Sequence, residues 1–256
     1  SPSVASAAST SHENVLRIVQ ITDPHLGSFM SVARLRKICE QTVDLDPDIV
    51  LLTGDFFTAE AYQPDQHALI HALEPLNALR GKTVACLGNH DKEKAARQLT
   101  TDGLESIGAP LLVDESLELE TDAGKVQIVG LDFRLRGREQ HVLEAIQKNP
   151  PSEDAVFRIL LIHDPGAFKF VPLSDNSLSF SGHTHGGQIG LHLGPIHISL
   201  VGLLGVPDQG LWAHGSKRLY VHRGQGCRSF MGSTVLRVGI PPEFLVLEVV
   251  LPTAAS

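Results

Sequence analysis

The sequence predicts an α/β fold of the α+β kind, a four-layer αββα sandwich in which two mixed β-sheets are flanked by helices. Three observations carry this expectation. Short apolar, β-branched runs alternate with amphipathic stretches through the first half of the 256-residue chain, strand-like runs dominate after Phe157, and no linker divides the chain. Alternating strands and helices followed by strands suit two packed sheets with helices on their outer faces. With 42% hydrophobic and 20% charged residues, the chain is able to bury one sizeable core. The expected organisation is a disordered Ser- and Ala-rich segment over residues 1–14 and one domain over residues 15–256.

The elements follow in order. Val15 to Ile21 reads as a buried strand, and Ser31 to Asp44 as a helix, with Ser31 as N-cap and Val32, Leu35, Ile38, Cys39 and Val43 on one face. Ile49 to Thr53 and Lys82 to Leu87 are further strands, and Asp65 to Leu79 and Lys92 to Ile107 further helices. Arg138 to Lys148 completes the helices, and Phe157 to Ile162 and Ser177 to Phe180 continue the strands.

Five polar clusters sit at strand ends: Asp23-Pro24-His25, Gly54-Asp55, Gly88-Asn89-His90-Asp91, His163 and Gly182-His183-Thr184-His185. Ligands of open α/β sheets gather outside the carboxyl ends of strands, so the clusters converge on one rim. Their residue types are those of a two-cation site, which needs about seven mixed oxygen and imidazole donors and a carboxylate able to bridge. The spacing of Asp23 and His25 places both side chains on one face if the segment is extended, as Pro24 favours. The glycines 182, 186 and 187 allow a sharp turn at the second such pair, His183 and His185.

In this pattern the chain resembles the calcineurin-like metallophosphoesterases, whose signature is D-x-H, GD, GNH[D/E], a lone H and GHxH; every element is present. The strings Ser181 to Gln188, Leu219 to Gly224 and Pro241-Pro242-Glu243 further resemble the YkuE- and YaeI-like branch of bacterial phosphodiesterases, together with some lipid A pathway hydrolases. The resemblance spans about Val15 to Val250 and implies the same αββα fold. It implies that Asp23, His25 and His185 hold one metal, that Asn89, His163 and His183 hold the second, and that Asp55 bridges both. It further implies that His90 is the general acid, oriented by Asp91. Two divalent ions lower the pKa of a bridging water, so that hydroxide attacks phosphorus in line without a covalent intermediate, and their charge neutralises the transition state. Nitrogen and oxygen donors accept Mn, Fe, Zn, Co or Ni, which leaves the metals open.

The implied reaction is phosphodiester hydrolysis. Alternatives are phosphomonoester or phosphoprotein hydrolysis, cleavage of a UDP-diacylglucosamine-type lipid A precursor, and a metal-binding scaffold without activity. Net charge is −8, aromatics make up 5%, and no Lys/Arg stripe with interleaved aromatics occurs, which argues against general nucleic-acid binding. Arg134, Arg136 and Arg138 form one basic cluster, and Arg223, Arg228 and Arg237 another. Both clusters read as solvated surface unless Arg223 or Arg228 clamps a substrate phosphate.

Cys39 and Cys86 fall on apolar faces as core thiols, Cys227 is the accessible one, and no disulfide framework exists. The segment His192 to Gly215 is rich in Leu, Ile and Val and holds the only Trp. It reads either as a loop packed on a sheet edge or a neighbouring subunit, or as an apolar lip for a lipid or other hydrophobic leaving group. No stretch is long and apolar enough to span a bilayer. The chain begins without Met, so the expected location stays open between the cytoplasm and a membrane-associated or exported state.

Overall fold

A computed structural model describes residues 14–27, 29–58, 65–193, 196–230, 234–235 and 237–251. Residues 1–13, where sequence suggests disorder, lie outside the described residues.

One sheet carries β1 (Val15–Ile21), β2 (Ile49–Leu52), β3 (Thr83–Cys86) and β4 (Leu111–Leu112) in parallel. The last strand of the chain, β15 (Val246–Val250), pairs antiparallel with β1. The second sheet has the order β11 (Gly210–His214), β12 (Lys217–Val221), β8 (Leu178–Ser181), β7 (Phe157–Leu161), β6 (Gly124–Gly130), β5 (Glu115–Thr121), parallel in its centre and antiparallel at both edges. Both sheets are therefore mixed.

Side-chain alternation along the strands builds the layers. Leu16 and Ile18 of β1, with Ile49 and Leu51 of β2, face the second sheet and pack on Ile128, Ile159, Leu161 and Phe180. Val19 and Ile21, with Val50 and Leu52, face the opposite way onto α1 (Val32–Asp44), α2 (Ala68–Leu73) and α3 (Lys94–Ser106). Beyond the second sheet, Val129, Leu160 and Val221 cover Val142, Ala145 and Ile146 of α4 (Arg138–Lys148). The result is the αββα sandwich that the pattern predicts.

Local chemistry sets the element ends. Ser31 caps α1 by accepting the Arg34 N–H, as expected. The helix expected over residues 65–79 is shorter. It stops at Leu73 because Pro75 has no N–H to continue the ladder, and Glu74–Leu79 tightens into a 3₁₀ turn. The 92–107 helix likewise begins only at Lys94, after a 3₁₀ turn at His90–Lys92. Cys39 and Cys86 are buried and Cys227 is half-buried.

The described part of the apolar segment 192–215 is in part regular structure. It continues β9 (Gly190–Leu193) into β10 (Ile196–Ser199), the single turn α5 (Leu200–Leu203) and the edge strand β11. Two further short strands, β13 (Ser229–Phe230) and β14 (Thr234–Val235), pair antiparallel. No helix among the described residues is long and apolar enough to cross a membrane.

Candidate metal centre

All five polar clusters meet where the carboxyl ends of β1, β2, β3, β7 and β8 converge. Asp23, His25 and His185 each offer a donor atom within 4.8 Å of the others, as do Asp55, His163 and His183. His25 Nε2 lies 3.1 Å from His185 Nε2 and 3.6 Å from Asp55 Oδ2. His185 Nε2 lies 3.4 Å from Asp23 Oδ1, and His163 Nε2 lies 3.3 Å from Asp55 Oδ2. Asp55 therefore stands between the two donor groups.

The backbone delivering these groups is not extended. Asp23, His25, Asp55, His183 and His185 all have positive φ, between 47° and 69°. This corrects the expectation that Asp23 and His25 share a face of a strand; they converge because each sits in a left-handed turn beyond a strand end. Left-handed residues with side chains cost on the order of 1 kcal/mol or more each, and such strain persists at sites the surrounding structure over-determines.

Two glycines make room for the carboxylates. A Cβ on Gly182 would lie 2.0 Å from Asp23 Oδ2, and one on Gly88 would lie 2.1 Å from Asp55 Oδ1. The Gly182 loop also binds Asp23 directly, because the His183 N–H donates to both its carboxylate oxygens at 3.0 Å. The His90 N–H donates to Asp55 Oδ1 at 2.8 Å.

Burial governs the titration. It depresses His25 and His183 to about 4 and His185 well below its ordinary value, so these imidazoles stay neutral and keep a lone pair to offer. Burial also raises Asp23, to about 7. Burial would lower His163 as well, but Asp55 beside it lifts it to about 10, and burial would raise Asp55, but His163 holds it well below the carboxylate range. His163 Nδ1 donates to the Thr53 carbonyl at 2.7 Å, which turns Nε2 toward Asp55.

The donor set fits divalent cations. Asn89 Oδ1 and His183 Nδ1 are buried without a hydrogen-bond partner. Burying unmatched polar atoms is costly unless a ligand completes them. Three neutral imidazoles, that of His163 once a cation displaces its proton, two carboxylates and an amide oxygen form a borderline-hard set suited to first-row metals.

His90 stands at the edge of the site, its ring 5.0 Å from that of His25 in an edge-on arrangement. Asp91 has a further role beside the one expected of it toward His90. Its carboxylate accepts the N–H groups of Asp55 (2.6 Å), Phe56 (2.9 Å) and Gly88 (2.8 Å), so it locks the Asp55 and Gly88 turns together. Phe133 forms a wall, with its ring 5.8 Å from His183 and 6.2 Å from His163.

The basic clusters separate by environment. Arg138 pairs with Asp164 and Arg134 with Asp132. Arg237 is no solvated residue. Its guanidinium donates to the carbonyls of Gly226 and Arg223 (both 2.7 Å), His185 (3.3 Å) and Ile240 (2.7 Å). Arg223 leans on Glu243 at 3.4 Å and keeps Nε and Nη1 buried without a hydrogen-bond partner. Arg228 is exposed, and its charge reaches His25 and His183.

Sequence reasoning missed the C-terminal clamp. Gln225 accepts the Thr22 N–H and donates to the Gln20 carbonyl, and Glu243 accepts the Tyr220 hydroxyl and the Arg223 N–H. Gln188 holds the Arg228 backbone from both sides, accepting its N–H at 2.7 Å and donating to its carbonyl at 3.1 Å. The strings 181–188, 219–224 and 241–243 include Gln188, Tyr220, Arg223 and Glu243 of this clamp, whereas Gln225 lies outside them.

The donor groups gathered around Asp55 at the strand ends are ones that could hold metal ions, as a metal-dependent phosphoesterase needs. The chain belongs to the calcineurin-like phosphoesterase family, whose profile matches residues 16–187. It is similar to the uncharacterized metallophosphoesterase YkuE of Bacillus subtilis (strain 168), with 32% identity over 90% of this chain and 77% of that protein. It is similar to the phosphodiesterase YaeI of Escherichia coli (strain K12), with 28% identity over 91% and 82%. It also resembles the UDP-2,3-diacylglucosamine pyrophosphatase LpxG of Chlamydia trachomatis serovar D, with 26% identity over 93% and 84%. Among solved structures, a 5'-nucleotidase precursor from Thermus thermophilus shares the fold at a TM-score of 0.51 and 14% identity; the match covers 93% of this chain and about half, 54%, of that one. TT1561 of the same organism matches with a TM-score of 0.54 and 11% identity over 82% and 90%.

Proposed function

We propose that the chain is a phosphodiesterase that works with two divalent cations. The observation that carries this reading is the pair of donor groups, Asp23–His25–His185 and Asp55–His163–His183, joined by Asp55 Oδ2, which lies 3.6 Å from His25 Nε2 and 3.3 Å from His163 Nε2. In this assignment Asp23, His25 and His185 hold one cation, Asn89, His163 and His183 hold the other, and Asp55 serves both. When bound, such a pair supplies Lewis acidity that activates water near neutral pH and positive charge that stabilises the phosphoryl transition state.

The protein's own groups do the rest. His90 gives a proton to the leaving oxygen, while its backbone N–H fixes Asp55 from the same residue. Asp91 keeps the two turns that carry these groups in register. Asn89 contributes oxygen without charge, so two carboxylates leave the site cationic toward a phosphate. Arg228 would contact a non-bridging phosphoryl oxygen, and Arg223 is held by Glu243.

A diester brings one negative charge to this site and a monoester nearly two. Arg228 is an exposed guanidinium whose charge reaches His25 and His183, and one exposed cation beside the site suits the single charge of a diester. Kinetics on a soluble aryl phosphodiester and the matching monoester test this reading. A higher kcat/KM for the diester supports it, and the reverse makes the chain a phosphomonoesterase. The similarity to a pyrophosphatase of a diacylglucosamine nucleotide supports a hydrophobic leaving group as the natural variant of the same chemistry.

A further inference from the structure

Along the rim of the second sheet, the carboxyl ends of parallel neighbours stand in the order β12, β8, β7, β6. The two central strands lead into His183 and His163, so the segments after β12 and β6 flank these ligands on opposite sides. The segment after β12 carries Arg223 and the exposed Arg228. The segment after β6 carries Phe133, half-buried, with its ring against the imidazoles of both His163 and His183.

The Phe133 side is held firmly. The Asp132 N–H donates to Asp114 Oδ1 at 2.9 Å, and His141 Nε2 of α4 lies 2.9 Å from both carboxylate oxygens of Asp114. Lys92, in the same 3₁₀ turn as His90, donates to Asp132 Oδ2 at 2.8 Å and to the Phe133 carbonyl at 2.6 Å. The backbone around the ring is therefore tied down, and tied to the turn that carries His90. A ring already in place when a ligand arrives avoids the entropic cost of ordering it.

Charge separates the two sides. On the Phe133 side, Lys92 and Arg134 pair with Asp132, and Arg138 pairs with Asp164, while Arg136 is exposed further along the loop. A phosphoryl group lying over His163 and His183 thus has a guanidinium on one side and an aromatic ring on the other. Charged oxygens are unfavourable against an apolar ring and suited to Arg228, whereas an uncharged substituent suits the ring.

We propose that Phe133 is a specificity-determining residue whose ring receives an apolar substituent of the phosphate ester, a flat ring or an acyl chain. This role rests on the two-cation reading of the centre and not on a preference for diesters.

Calorimetric titration of the metal-reconstituted full chain with methylphosphonate, phenylphosphonate and hexylphosphonate tests it, because the three carry the same anionic head and differ only in the substituent. Wild type is expected to bind the phenyl or the hexyl compound about tenfold tighter than the methyl one. The larger gain with phenyl identifies a ring as the natural substituent, and the larger gain with hexyl identifies a chain. Phe133→Ala is expected to cut the gain to about twofold or less, with metal content and methylphosphonate affinity unchanged. Arg136→Ala should keep the gain. Phe133→Leu, which retains apolar bulk against His163 and His183, should keep a hexyl gain and lose a phenyl gain.

A gain that survives in Phe133→Ala overturns the proposal. So does an equal fall for all three phosphonates in both Phe133 variants, since the ring would then only pack the ligand histidines. Wild type that holds metal and methylphosphonate but gains nothing from phenyl or hexyl overturns the role of Phe133 alone. Wild type that takes up no metal overturns the two-cation reading and this role with it.

Discussion

The Thr22 N–H donates to the side-chain oxygen of Gln225 at 2.7 Å, tying the exit of β1 to a loop 203 residues further along the chain. The same side chain donates to the Gln20 carbonyl at 3.1 Å, so Gln225 takes the place of a strand neighbour immediately before the ligand Asp23. The adjacent Gly226 N–H donates to the Asp23 carbonyl at 3.0 Å. The left-handed turn that aims Asp23 and His25 is thus held from outside β1.

Gln225→Ala leaves a buried N–H and a buried carbonyl unmatched and is expected to cost about 2 kcal/mol of stability. Metal affinity falls with it, by about tenfold or more, because the turn loosens. Denaturant unfolding of the apoprotein and a metal titration measure the two effects. Unchanged metal affinity in a destabilised variant would show that the clamp supports the fold and not the site.

Asp55 and His90 are expected to fail in different ways. Asp55→Asn removes the shared carboxylate and should lower the metal content of purified protein. His90→Ala should keep the metals and lower kcat by about a hundredfold, more for an alkyl than for a nitrophenyl leaving group. An equal loss on both leaving groups would rule out the acid role.

Arg228→Ala is expected to raise KM for the diester about tenfold with a smaller change in kcat, as loss of a charge-assisted phosphate contact does. Gln188→Ala, which releases the Arg228 backbone, should move KM in the same direction by less. Arg228→Lys should restore only part, since an ammonium lacks the planar fork.

Acid should destabilise the protein through His222, which is fully buried, accepts the Gly224 N–H at Nδ1 (2.8 Å) and is held down to about 4 by burial. Its unfolded value is near 6.5, so between pH 6.5 and 4 the unfolded chain takes up a proton that the folded one does not. The stability associated with neutral His222 is therefore complete above about pH 6.5 and is lost as pH falls toward about 4. His222→Gln should flatten this part of the profile by about 3 kcal/mol. Unfolding of metal-free wild type and variant at about pH 7 and about pH 4.5 reads the difference.

Fixed-spacing strings made the centre legible in sequence. Gly88-Asn89-His90-Asp91 and Gly182-His183-Thr184-His185 place donors, and the glycines that admit the carboxylates, within a few residues of one another. The helix behind Ser31 was legible for the same local reason. What sequence hid is long-range or conformational. Gln225, Gln188 and Arg237 act through backbone groups far along the chain, and nothing in a Gln or Arg among glycines announces such a partner. Pro24 suggests extended geometry at Asp23, yet Asp23 takes a φ of 51° because the Gly182 and Gly226 loops hold it there. Asp91 looks in sequence like a partner of the neighbouring His90 alone, and its hold on the N–H groups of two separate turns is visible only in the fold.

A two-cation phosphodiesterase centred on Asp55 is open to one decisive measurement: elemental metal content of the reconstituted protein, taken on the sample used for turnover of an aryl phosphodiester and the corresponding monoester. About two metals per chain, a clear preference for the diester, and loss of both metal and turnover in Asp55→Asn are expected. One metal or none in a sample that still hydrolyses the diester would refute the two-cation reading, and full metal with no turnover of either ester, or with a preference for the monoester, would refute the phosphodiesterase reading.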